Sequence, residues 1–146
     1  MEKTTGPKLI ELPRIFDERG NLSFIQDDGV LPFRMERMYW IYDVPGGEFR
    51  GSHAFYEQEE LIIALSGSFD LVLHDGQKEH RFSLNRSYRG VYVPRMIWRN
   101  LENFSSNSLC LVLSSTTYNP SDYIWNFEEY CKKRVAFLNG QDITHM

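Results

Sequence analysis

The chain has 146 residues, of which 42% are hydrophobic, 25% charged and 14% aromatic, and its formal net charge is −4. Such a length and apolar share fit one domain with a core of its own, and the acidic balance speaks against a nucleic-acid binder. No run approaches the roughly 18 apolar residues of a membrane span, and Met1–Lys8 lacks the apolar centre of a secretory signal.

Taken in order, residues 1–10 read as a loose tail. Arg37–Val44 is rich in aromatic and β-branched residues and ends at Pro45-Gly46-Gly47, as a strand should. Leu61–Leu65 is a short apolar run that fits a strand buried on both faces, or nearly so. Phe69–His74 and Gln77–Leu84 flank Asp75-Gly76, a strong hairpin signal. With those two residues as the loop, Phe69 faces Phe82, Leu71 faces His80 and Asp70 faces Arg81. His74 is then solvated at the tip. Gly90–Pro94 and Ser108–Leu113 add two more strands, in the rhythm of a sandwich or barrel. Asn119-Pro120-Ser121-Asp122 offers a helix N-cap, a first-turn proline and an early acid. Ile124, Phe127, Cys131 and Val135 follow at helical spacing, which predicts a helix over 120–135 packed on a β-domain. His145, beside the C-terminal residue, reads as disordered. Cys110 and Cys131 form no metal or redox motif and read as free thiols of a cytoplasmic protein.

The residues with chemistry gather in two stretches. His53, Glu60 and Gly67 match the first half of a cupin pattern, and Gly90 and Pro94 match the second. The second histidine of the first half is Phe55, and the last histidine of the pattern is Arg99. A metal site needs three or four converging N/O donors, and a guanidinium has no lone pair to give. No bound metal is therefore expected.

The chain resembles the dTDP-4-keto-6-deoxyglucose 3,4-ketoisomerases, the WxcM-like sugar-nucleotide cupins, from about Ile15 to Lys133. The ordered landmarks are Asp17-Glu18-Arg19-Gly20-Asn21-Leu22, Leu31-Pro32-Phe33, Arg37–Asp43, Arg50-Gly51-Ser52-His53-Ala54, Ala64–Ser68, Leu73-His74-Asp75-Gly76, Val93–Trp98, Phe104-Ser105-Ser106 and Tyr118–Ile124. The resemblance implies an all-β double-stranded β-helix, or jelly-roll barrel, with a short C-terminal helix. It also implies a homodimer and a dTDP-4-keto-6-deoxy sugar as substrate. By the same resemblance the keto group is expected to move from C4 to C3 through an enediol or enediolate, with no metal or organic cofactor, and the product to feed deoxyamino-sugar and surface-polysaccharide biosynthesis. Family members place a histidine pair where this chain has His53 and Phe55.

On this reading His53 is the base and Tyr39 its catalytic partner. Arg19, Arg37 and Arg50 suit the diphosphate. Glu60, Trp98 and Arg99 complete the substrate-binding set. Two alternatives stay open at this point. The substitutions at Phe55 and Arg99 also suit a degenerate nucleotide-sugar-binding subunit that pairs with an intact homologue. Tyr39, Trp40, Phe55 and Trp98 could instead fill the barrel of a structural cupin.

Overall fold

A computed structural model describes residues 6–144. In chain order the strands are β1 (Lys8–Glu11), β2 (Arg14–Ile15), β3 (Leu22–Ser23), β4 (Arg37–Tyr42), β5 (Arg50–Phe55), β6 (Glu60–Ser66), β7 (Phe69–His74), β8 (Glu79–Leu84), β9 (Arg89–Val93), β10 (Trp98–Glu102) and β11 (Leu109–Ser114). A 3-10 turn (Pro120–Asp122), β12 (Tyr123–Ile124) and helix α1 (Phe127–Leu138) complete the described residues. Two five-stranded sheets, β1-β9-β6-β11-β4 and β12-β5-β10-β7-β8, are antiparallel throughout. They face each other in the all-β jelly-roll arrangement, with the short β2–β3 pair apart.

Period-two alternation decides which side chains meet between the sheets. Ile62, Ala64, Val91, Val93, Cys110 and Val112 of the first sheet pack on Phe69, Leu71, Leu73, Leu84 and Leu101 of the second. The intervening residues Leu61 and Ile63 turn outward, yet they too are buried, under Ile10, Leu12 and Leu31. Both faces of β6 are therefore covered, which explains its continuous apolar run; only its end, Leu65 and Ser66, is exposed.

Four sequence expectations shift. Lys8–Glu11 is no loose tail: it pairs with β9 as the edge of the first sheet. Residues 1–5 and His145 lie outside the described residues. The β7–β8 hairpin is displaced by two in register, with Leu71 facing Phe82, Leu73 facing His80 and Asp70 facing Ser83. The tip is Gly76-Gln77: Gly76 takes the positive φ (97°), while Asp75 Oδ1 accepts from the amides of Gln77 and Lys78. Asp75 thus acts through its side chain, a local bond that competes with a central turn position. A shift of two leaves every side chain on its expected face. Asp70 still reaches Arg81, diagonally, at 3.1 Å.

The C-terminal helix begins seven residues later than expected. Asn119 caps only the 3-10 turn, Ile124 sits in β12, and Asn126 caps α1 by accepting from Glu129 N. The buried helix face is Tyr130, Lys133, Arg134 and Ala136, whereas Val135 is exposed. Tyr130 Oη lies 2.9 Å from the carbonyl oxygens of His74 and Met96, a bifurcated bond that docks α1 on the outer face of the second sheet. His74 is accordingly half-buried, edge-on to Phe127 and accepting from Gly76 N, rather than solvated.

Candidate active site

A cavity of about 480 Å³ opens between the sheets. The barrel is thus not filled, as a purely structural cupin would require. Its walls come from β4 (Arg37, Tyr39, Ile41), β5 (Arg50, Gly51, His53), β6 (Glu60, Ile62), β10 (Arg99, Leu101) and β11 (Val112). Phe49, Tyr118, Tyr123 and Trp125 also line it. Each strand residue sits where the alternation turns it inward, except Arg50.

Glu60 is the hub. It has no exposed surface. Its Oε1 accepts from Arg99 Nη1, and its Oε2 accepts from Tyr39 Oη at 2.7 Å and Gln58 Nε2 at 2.6 Å. Gln58 Oε1 in turn accepts from Arg37 Nη2 and Thr116 Oγ1. Arg99 is only 2% exposed, donates its Nη2 to Ile97 O, and lies over the Phe55 ring at 4.8 Å. The carboxylate, engaged by three donors, holds its neighbours rather than offering itself to a ligand. Burial and the Glu60 charge push the Tyr39 phenol far above its ordinary pKa, so it stays protonated.

His53 faces Arg99 across the β5–β10 ladder. Its ring is packed edge-on by Phe55 (4.8 Å), Tyr123 (5.0 Å) and Trp125 (5.3 Å), and the last two stack on each other at 6°. Burial, and secondly the Arg99 charge, lower its pKa to about 3. The imidazole is therefore neutral at pH 7 and its lone pair is free. Phe55, fully buried between His53, Tyr123 and Arg99, occupies the second histidine position with an apolar ring.

Three lining residues carry a buried polar nitrogen with no partner: Arg37 Nε, His53 Nδ1 and Arg99 Nε. Unpaired buried donors are costly and call for an acceptor in the space they face. Three guanidiniums (Arg37, Arg50, Arg99) share the wall with one carboxylate, leaving two positive charges uncompensated. The donor set does not fit a divalent cation: the guanidinium of Arg99 occupies the carboxylate of Glu60, and among the described residues no three His, Cys, Asp or Glu side chains converge.

Two expected site residues lie elsewhere. Trp98 is one step out of phase with Arg99 and packs outward, under Phe127 and Tyr130 of α1. Arg19 is 90% exposed, paired with Asp17 at 2.8 Å, and does not line its own chain's cavity. Tyr123, Trp125 and Gln58 were missed. The run Asp122-Tyr123-Ile124-Trp125, reread with period two, would have set both rings on one face of a short strand.

The WxcM-like, C-terminal family (FdtA) matches residues 5–135. The chain is 35% identical over 132 residues to a TDP-4-oxo-6-deoxy-alpha-D-glucose-3,4-oxoisomerase from Aneurinibacillus thermoaerophilus, covering 90% of this chain and 94% of that one. Among solved structures it is similar to QdtA, a sugar 3,4-ketoisomerase from Thermoanaerobacterium thermosaccharolyticum in complex with TDP. That match has a TM-score of 0.87 and 30% identity, over 90% of this chain and 96% of QdtA. It is also similar to WlaRA, a TDP-fucose-3,4-ketoisomerase from Campylobacter jejuni, with a TM-score of 0.84 and 31% identity over 89% and 96% of the two chains. Sequence, fold and cavity agree, and the chain belongs to the WxcM-like (FdtA) family.

Proposed function

We propose that this chain is a TDP-sugar 3,4-ketoisomerase that acts on a TDP-4-keto-6-deoxy sugar. The observation that carries the reading is a neutral, desolvated His53 beside Arg99 in a cavity with two uncompensated positive charges. A sugar nucleotide brings two negative charges on its diphosphate, which match those cations. The reaction is internally balanced, because C3 is oxidised as C4 is reduced and no external electron acceptor is needed.

In this reading His53 takes the proton from C3, which the C4 ketone acidifies. The enediolate charge develops on O4, beside the Arg99 guanidinium, whose Nε has no other partner. Tyr39 already donates its proton to Glu60, so its oxygen accepts from the substrate's O3 hydroxyl rather than acting as an acid. The O3 proton passes to O4, and the imidazolium returns a proton to C4. Arg37 and Arg50 hold the diphosphate. Glu60 acts by orienting Arg99 and Tyr39. A conversion assay tests the activity: with TDP-4-keto-6-deoxyglucose, carbon NMR should show the ketone leaving C4 and a new one at C3. Unchanged substrate at high enzyme concentration would contradict it.

The working form is a homodimer. Met38 (50%), Trp40 (55%) and Tyr42 (61%) are exposed on the outer face of the edge strand β4, and Met38 shares a groove with exposed Phe24, Met35 and Leu65. An apolar patch along an unpaired edge is an interaction surface, and a self-complementary patch closes with two-fold symmetry. Arg19 meets substrate only if such a contact brings it to the partner's cavity. Sedimentation should give twice the chain mass, and Trp40→Glu should give the monomer mass; a monomeric wild type would overturn the arrangement. Among the described residues no helix is long and apolar enough to cross a membrane. The charged substrate is one that the chain would meet in the cytoplasm.

A further inference from the structure

Strands β5 and β10 do not pair evenly. His53 faces Arg99, but Gly51 faces Asn100 and Arg50 faces Leu101. Ser52 is therefore an extra residue, the mark of a β-bulge. Gly51 and Ser52 both take positive φ, at 96° and 64°. Glycine suits position 51, because a side chain is strained at that φ and a Cβ would crowd the Arg99 carbonyl oxygen at 3.0 Å. Ser52 has a Cβ and no such freedom. What holds it is a hydrogen bond from Ser52 Oγ to Asn100 Oδ1 at 2.5 Å.

The bulge has a consequence for the cavity. In an unbroken strand, residues 50 and 53 point to opposite faces. Here Arg50 and His53 both line the cavity. We propose that the Ser52–Asn100 hydrogen bond is a latch that holds this bulge and so sets the Arg50 guanidinium on the same cavity wall as the His53 imidazole. Ser52 and Asn100 are positioning residues: neither lines the cavity. The inference rests on the reading of that cavity as the sugar-nucleotide site. Arg50 lies on the far side of the bulge from the His53–Arg99 pair, so loosening the latch acts on substrate capture more than on proton transfer.

The experiment uses the full chain with Ser52→Ala, Asn100→Ala, their double variant and Ser52→Gly. Loss of one hydrogen bond should raise KM about fivefold in each of the first two, with kcat nearly unchanged. The double variant should be no worse than either single one, because both remove the same bond. Ser52→Gly also lacks the hydroxyl, yet it should keep KM within about twofold of the parent, because glycine takes the left-handed φ unaided. A loss in Ser52→Gly equal to that in Ser52→Ala would assign the hydroxyl a direct role and overturn the latch. Multiplying effects in the double variant would overturn it as well. Thermal melting without substrate should follow the same order, with equal and non-additive losses for the two alanine variants. That cycle decides the latch even if the parent turns over no sugar nucleotide, a result that would overturn the ketoisomerase reading instead.

Discussion

His53→Asn should lower kcat by about 10³-fold, within the range that a positioned acid–base group supplies, while leaving the fold and TDP binding intact. The fold survives because His53 Nδ1 has no hydrogen-bond partner to lose. Its ring contacts are edge-on to Phe55, Tyr123 and Trp125, which also pack on one another. Binding survives because the diphosphate is assigned to Arg37 and Arg50. Kinetics and calorimetry on one preparation check both halves; a variant that keeps more than a tenth of the parent kcat would remove His53 as the base.

The same histidine sets the pH dependence. Its pKa is about 3 in the folded chain, lowered by burial and then by Arg99, against an ordinary value near 6.5. The unfolded chain therefore binds the extra proton between these values and the folded chain does not. The contribution of His53 to stability is complete above pH 6.5 and is lost as pH falls toward 3. For activity the acid limb keeps the sign of an ordinary histidine base but moves down with the pKa: kcat/KM, which reports the free enzyme, should not drop on crossing pH 6.5 from above. An acid limb centred near 6.5 would mean an exposed imidazole.

The second large effect belongs to the Arg99–Glu60 pair. Both side chains are essentially inaccessible, at 2% and 1%. Glu60→Gln leaves the buried guanidinium uncompensated and should cost about 3–5 kcal/mol, seen as a fall in Tm of roughly 10 °C. Adding Arg99→Met to that variant should recover much of the loss, because no lone charge remains. The exposed Asp70–Arg81 pair is the internal control, since Arg81 is 45% exposed. Removing it should cost under about 1 kcal/mol. Equal losses from the two pairs would contradict the account of Glu60 as the hub.

Much of this was legible in the sequence, and the failures have physical causes. The strands carried their signals because each shows alternation or β-branched and aromatic content, and Phe69–His74 falls where expected to the residue. The hairpin register slipped because Asp75 satisfies two amides through its side chain and leaves the turn to Gly76-Gln77. The helix start slipped because Asn119-Pro120 caps a single 3-10 turn as well as it would cap a helix. His53, Tyr39, Arg37, Glu60 and Arg99 do meet at one cavity, since alternation fixes the inward positions of β4, β5, β6 and β10, and Arg50 joins them through the bulge. Trp98 was misplaced by neglect of the same rule: adjacent residues of one strand cannot both face the cavity. Arg50 shows the converse, because no pattern in Arg50-Gly51-Ser52-His53 reveals that a bulge will turn residue 50 inward.

Proton NMR in D2O reads the step assigned to His53, the proton transfer at C3 of a TDP-4-keto-6-deoxy sugar. With the wild-type chain and TDP-4-keto-6-deoxyglucose, deuterium should enter at C3 or C4 well above the rate without protein, and His53→Asn should bring that rate back to the background. Conversion with no dependence on His53, or exchange no faster than background in the wild type, would contradict the account.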